Sequence, residues 1–179
     1  SVIGAGALAI NARALGPSDF GILAVVQSVV LICERVAGFD TWQPFVRSLR
    51  AVDGVVSNGG FTWAIRRTLT YDAGSALLAT VSALIVVMLF GAMLGVEDTV
   101  MPFAAAYVAT LAIRFPGLPI GMLRHERRFA WQAKAQVAES LLRLLVAVLL
   151  YKVEADLPAY FVAMLLVSVV HQAILWVLA

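Results

Sequence analysis

LGPSDFGILAVVQSVVLICERVAGFDTWQPFVRSLR (residues 15–50) opens on a turn, continues as an apolar run and closes on a basic segment. Pro17 fixes φ in the turn, and Ser18 or Asp19 is free to cap the helix that follows. Residues 20–39 have about the length a helix needs to cross a bilayer. The first fourteen of them, Phe20 to Cys33, include Gln27 and Ser28 but no charge. Glu34, Arg35 and Asp40 then gather near the helix end, where cost and purpose both have to be asked.

The rest of the chain repeats this character. Of its 179 residues, 62% are hydrophobic and 13% charged, and the mean hydropathy is +0.94. Soluble domains run at about 45–50% apolar and 25% charged, so a polytopic, all-α membrane protein is expected. Helices are predicted over 2–14, 20–39, 64–94, 100–122, 133–151 and 159–178, a bundle of six with no soluble domain between them. Residues 41–52 are polar enough for an amphipathic extension at the interface. Residues 53–61, with Gly54, Asn58, Gly59 and Gly60, read as the clearest loop. AGSALLATVSALIVV (residues 73–87) and the small residues Gly4 and Gly6 read as packing faces, where backbones approach closely. The chain opens on SVIGAGALAI, without the basic region of a signal peptide, and stops in apolar LWVLA. The expectation is a fragment that begins inside a transmembrane helix.

Basic residues fall unevenly. Arg47, Arg50, Arg66, Arg67, Arg124, Arg127, Arg128 and Lys134 belong to connections on one side, against Arg13 and Lys152 on the other. Eight against two places the LGPSDFG turn outside and the basic side in the cytoplasm. Phe129 and Trp131 beside the second basic group suit the headgroup layer.

Several chemistries are excluded. Cys33 is a lone cysteine, and His125 and His171 lack metal-ligand spacing. A net charge of +2 is too small to point to nucleic acid. No Walker motif, Asp-rich magnesium cluster or Ser-His-Asp arrangement occurs, so no cofactor is expected and no bond chemistry is supported.

Ionisable residues at membrane depth are the candidate site, because each is costly there. Six qualify: Glu34, Arg35, Asp40, Arg114, Glu139 and Arg143. Glu139 and Arg143 stand four apart in the favourable order for an intrahelical pair. They either neutralise each other against a neighbouring helix or line a polar cavity, and the residues alone leave both open. Glu34 and Arg35 are adjacent and diverge by about 100°, and both have the option of snorkelling to the interface. For Asp40, capping of the following segment is the favoured reading. Arg114 precedes FPGLPIG, where Pro116, Gly117 and Pro119 are expected to break the helix and free carbonyls that protein or a wet cavity must cover. An arginine at such a break either suits a diphosphate, through charge-assisted hydrogen bonds, or snorkels to cytoplasmic headgroups about two turns away, and the diphosphate reading is favoured.

The order of these pieces resembles a known family. LGPSDFG, then an apolar helix, a charged helix end and FVRSLR is similar to the polysaccharide-exporter branch of the flippase superfamily. So is the basic LRHERRFAWQAKAQ after the fourth helix, with its Arg128-Phe129 pair. FDTWQPFVR departs from the family pattern by being more aromatic and carrying a Pro, which leaves the role of Asp40 open. The resemblance implies the N-terminal lobe of a 12–14-helix transporter in the bacterial inner membrane. It also implies two six-helix lobes around a central cavity that opens alternately to either side. The expected cargo is an undecaprenyl-diphosphate-linked oligosaccharide, such as an O-antigen or exopolysaccharide unit. Expected partners are membrane lipids, a coupling H+ or Na+, and polysaccharide polymerase and glycosyltransferases. The expected protein is thus a transporter and not an enzyme. Two other readings share the composition: a drug or metabolite cation antiporter of the same superfamily, and a membrane-embedded glycosyl- or acyltransferase.

Overall fold

A computed structural model describes residues 2–37, 42–52, 58–93, 95–114 and 117–179. The elements are α1 (Val2–Ala37), α2 (Trp42–Val52), α3 (Asn58–Phe90), α4 (Met101–Ala109), a 3-10 segment (Thr110–Ile113), α5 (Gly117–His125), α6 (Phe129–Lys152) and α7 (Leu157–Leu178). No strand occurs among the described residues. Four helical stretches, Ile3–Arg47, Thr62–Phe90, Met101–His125 and Leu157–Leu178, are long and apolar enough to cross a membrane. Six were expected. The difference lies at two places: residues 2–14 and 20–37 are two helices joined at Gly16 within one continuous stretch, and α6 carries Lys134, Glu139, Arg143 and Lys152, which keep it from being uniformly apolar.

α1 is interrupted at one residue. Gly16 has φ 73° and ψ 175°, a conformation open in practice only to glycine. Helical geometry resumes at once with Pro17, whose fixed φ and missing N–H suit the first position of a helix. The interruption is therefore narrower than the four-residue turn expected. It also redirects the chain. Gly6 lies beside Leu144 of α6, Arg13 and Ala14 lie beside Tyr151 and Lys152, and Glu34 is back at the level of Glu139 and Arg143. The first half of α1 thus runs with α6 and the second half runs back against it.

The outer surface is that of a membrane protein. Leu77, Leu78, Val81, Ile85, Met88 and Leu89 on α3 are exposed, as are Val137, Leu141, Leu145 and Leu149 on α6 and Leu166, Val170 and Val177 on α7. These positions recur every three or four residues, one stripe per helix. Apolar stripes of this extent suit hydrocarbon rather than water. The inward stripe of α3 is made of small residues: Ala76, Ala79, Thr80 and Ala83 are buried, as the packing reading of this stretch expected. Gly74, in contrast, faces open space and packs against nothing.

The main core joins Leu23, Val26 and Val30 of α1 to Val87 of α3, Tyr107 and Val108 of α4, and Tyr160, Phe161 and Met164 of α7. The Tyr107 and Phe161 rings meet with centroids 6.1 Å apart. A second cluster seats Phe45 of the amphipathic α2 between Ala64 and Leu118, with Arg124 stacked 3.6 Å over the Trp42 ring. α3 begins at Asn58, so residues 58–61 are helical and the expected loop shrinks; residues 53–57 and Asp40 lie outside the described residues.

The basic groups share one end of the bundle. There α2 packs on α3 and α5, bringing Arg47, Arg66, Arg67 and Arg124 together. The opposite end gathers the Gly16 interruption, the α3–α4 connection and the α6–α7 connection, with Gly95 set against Ile22.

Candidate functional site

The site begins at the break within the third of the four apolar stretches, Met101–His125. α4 tightens into the 3-10 segment, where Thr110 Oγ1 donates to the Tyr107 carbonyl at 2.7 Å, and Arg114 leaves the helix with φ −84° and ψ 95°. α5 restarts at Gly117, with Leu118 and Pro119 buried in its first turn. A restarting helix presents N–H groups with no partner of their own. Asp72, 3% exposed on α3, answers one of them: its Oδ2 accepts the Leu118 N–H at 2.9 Å. A carboxylate at a helix N-terminus is favoured by charge as well as by the hydrogen bond. The break is therefore held open by a side chain from a neighbouring helix.

Arg114 reaches from this break into a cleft between α1, α6 and α7. Its Nη1 donates to Glu34 Oε2 at 2.9 Å, and its Nη2 donates to Ser168 Oγ at 2.8 Å. The Ser168 hydroxyl donates its own hydrogen bond to the Met164 carbonyl at 2.9 Å, so it faces Arg114 as an acceptor. A second ion pair stands across the cleft: Arg143 Nη2 donates to Glu139 Oε1 at 2.6 Å. The other oxygen of Glu139 is 3.4 Å from His171 Nδ1. Leu31, Gln172 and Leu175 complete the walls around a volume of about 240 Å³.

Two features of this arrangement bear on its chemistry. First, the four formal charges cancel, one carboxylate to each guanidinium. Second, not every buried polar atom is used: among the described residues Arg143 Nε and His171 Nδ1 have no hydrogen-bond partner, the latter despite its approach to Glu139. Buried polar atoms are normally satisfied, so donors left over in a cleft mark where a polar ligand gains most. Among the described residues, no group of three or more His, Cys, Asp and Glu side chains comes together as a metal site.

Four of the six predicted residues meet here: Glu34, Arg114, Glu139 and Arg143. Glu34 and Arg114 do not snorkel; each ends on the other. Arg35 is not part of the cleft. It follows Glu34 by one residue, so it points to a different face of α1 and is exposed. Sequence reasoning passed over Ser168, His171 and Gln172, although their spacing of three and four marks one polar stripe on an otherwise apolar helix. It also passed over Asp72, the one acid in an apolar stretch behind Arg66 and Arg67.

No family model, characterised protein or solved structure matches this chain.

Proposed function

We propose that this chain is the N-terminal bundle of a polysaccharide-exporter flippase of the bacterial inner membrane. Its cargo would be an undecaprenyl-diphosphate-linked oligosaccharide, moved from the inner to the outer leaflet without a bond being made or broken. The observation that carries this reading is the convergence of Arg114, at the break after the 3-10 segment, and Arg143, on α6, in one cleft, each held by a carboxylate. Charged groups are kept in such a place when they serve a pathway. Guanidinium groups suit the oxygens of a diphosphate through paired, charge-assisted hydrogen bonds.

In this reading Glu34 and Glu139 are stand-ins for the cargo. They keep the arginines neutralised while the cleft is empty, and a diphosphate displaces them. Arg143 Nε and His171 Nδ1 then supply further donors. The lipid tail stays in hydrocarbon while the sugar crosses in the wet space between this bundle and a second one. A displaced Glu139 would carry a proton or Na+, which is how the step would be coupled to an ion gradient.

The test is surface polysaccharide in cells carrying full-length Arg143→Ala or Arg114→Ala. Loss of one charge-assisted contact is expected to lower export about ten-fold or more. Undiminished export in both variants removes the cleft from the mechanism.

The two carboxylates also favour a second reading, a cation antiporter in which Glu34 and Glu139 bind the substrate. Glu34→Gln with Glu139→Gln separates the two. A flippase would keep its affinity for the diphosphate, since the arginines lose their competitors, whereas an antiporter would lose its cation.

A further inference from the structure

A second cleft lies at the other end of α6, away from the paired charges. Arg13 and Ala14, just before the Gly16 interruption, face Tyr151, Lys152, Glu154 and Ala155 around a volume of about 530 Å³. Sequence places only two basic residues, Arg13 and Lys152, on this side of the chain, and the fold brings both to one cleft. Neither forms an ion pair among the described residues. Glu154 lines the same cleft without coming within pairing distance of either. Two like charges brought together in a medium less polar than water repel, and an anion between them relieves the repulsion.

The helix end does not supply that anion. The last carbonyls of α6 are turned inward and satisfied: Leu149 accepts from Val153 N–H, Leu150 from Ala155 N–H and Tyr151 from Glu154 N–H, with Glu154 at φ 48° closing the cap. Arg13, Lys152 and the Tyr151 hydroxyl remain as donors. Donors from two helices suit a phosphate, whose several oxygens accept from more than one cation at once.

The surroundings decide what carries the phosphate. Lys152 stands three residues beyond Leu149, which continues every fourth position through Leu145 and Leu141, all exposed. The cation thus sits at the head of an exposed apolar stripe on the same face of α6. The geometry points to this cleft as a binding site for an anionic phospholipid, its phosphate between Arg13 and Lys152 and an acyl chain along Leu149, Leu145 and Leu141. The site is separate from the charged pairs of the proposed transport cleft and does not depend on that function.

The experiment is photo-cross-linking in vesicles of phosphatidylcholine containing a photoactivatable phosphatidylglycerol, with the modified peptides mapped. The wild-type chain is expected to be labelled around residues 145–154. Arg13→Gln with Lys152→Gln should reduce that labelling about ten-fold, as removal of two interfacial basic residues implies. Both side chains are exposed, so the fold should tolerate the change. Arg66→Gln with Arg67→Gln removes the same charge at the opposite end and should leave residues 145–154 labelled. Glu154→Gln should raise the labelling. Equal labelling in the wild type and the Arg13/Lys152 variant overturns the site. Loss of labelling on adding inorganic phosphate, at fixed ionic strength, overturns the lipid assignment in favour of a soluble anion.

Discussion

Asp72 shows how much one side chain can decide. It is buried on α3 and gives α5 its first hydrogen bond across helices. Removing the acceptor leaves a buried N–H unsatisfied, which costs about 1–3 kcal/mol. Asp72→Ala should therefore lower the thermal unfolding midpoint of the purified protein. Asp72→Asn keeps a side-chain oxygen at the same place and should lose clearly less. Equal losses would mean that charge, not the hydrogen bond, holds the break. The residue escaped notice in the sequence because a lone acid near Arg66 and Arg67 reads as part of an interface. Nothing local tells that its partner is a backbone group 46 positions later.

Among the elements, α1 depends most on a single conformation. A Cβ at Gly16 would meet no other atom within 4 Å, so the cost of Gly16→Ala is backbone strain alone, about 1–3 kcal/mol. Gly21 is the control. It is equally open, lies in the helical second half of α1 and has no positive φ. Gly21→Ala should leave stability unchanged or raise it by about 0.5–1 kcal/mol, since glycine is a poor helix former. Denaturation of both variants in the same detergent tests the pair, and a Gly16→Ala protein as stable as Gly21→Ala would refute a glycine-only break. The Gly-Pro signal was legible because both residues act through their own backbone. The break at Arg114 was legible for the same reason. α6 was read as a helix over residues 133–151, but which side its charges take was not legible: Glu139 and Arg143 face the cleft while Leu141, Leu145 and Leu149 face outward.

At the scale of the molecule, the two ends of the bundle differ in charge, and this makes sidedness testable. In a Cys33→Ala background, single cysteines at Asp98 and at Arg127 report opposite ends. In intact cells a membrane-impermeant maleimide should label the Asp98→Cys protein and spare the Arg127→Cys protein until the membrane is opened, as the excess of arginine on one side requires. The reverse pattern would invert the orientation and, with it, the direction of transport proposed for the cleft.

The sequence by itself determined that the chain is all-α and apolar, that its backbone breaks near Gly16 and after Arg114, and which connections carry the basic residues. Each of these is written locally, in composition, in the period of apolar positions, or in the backbone habits of glycine and proline. Spacing alone offered Glu139 to Arg143, but only the tertiary structure decided which distant charges meet. Glu34 and Arg114 are 80 positions apart and Arg114 and Ser168 are 54 apart, and no local pattern encodes such pairings. The same holds for Arg13 with Lys152 and for Asp72 with Leu118. Packing of α1 against both α6 and α7 places Glu34, Arg114, Glu139, Arg143 and His171 around one space, and there each arginine has a carboxylate while His171 Nδ1 and Arg143 Nε have no hydrogen bond among the described residues. Charge at membrane depth could be counted from residues alone. Its neutralisation, pair by pair, depends on distances of about 3 Å that only a folded chain sets.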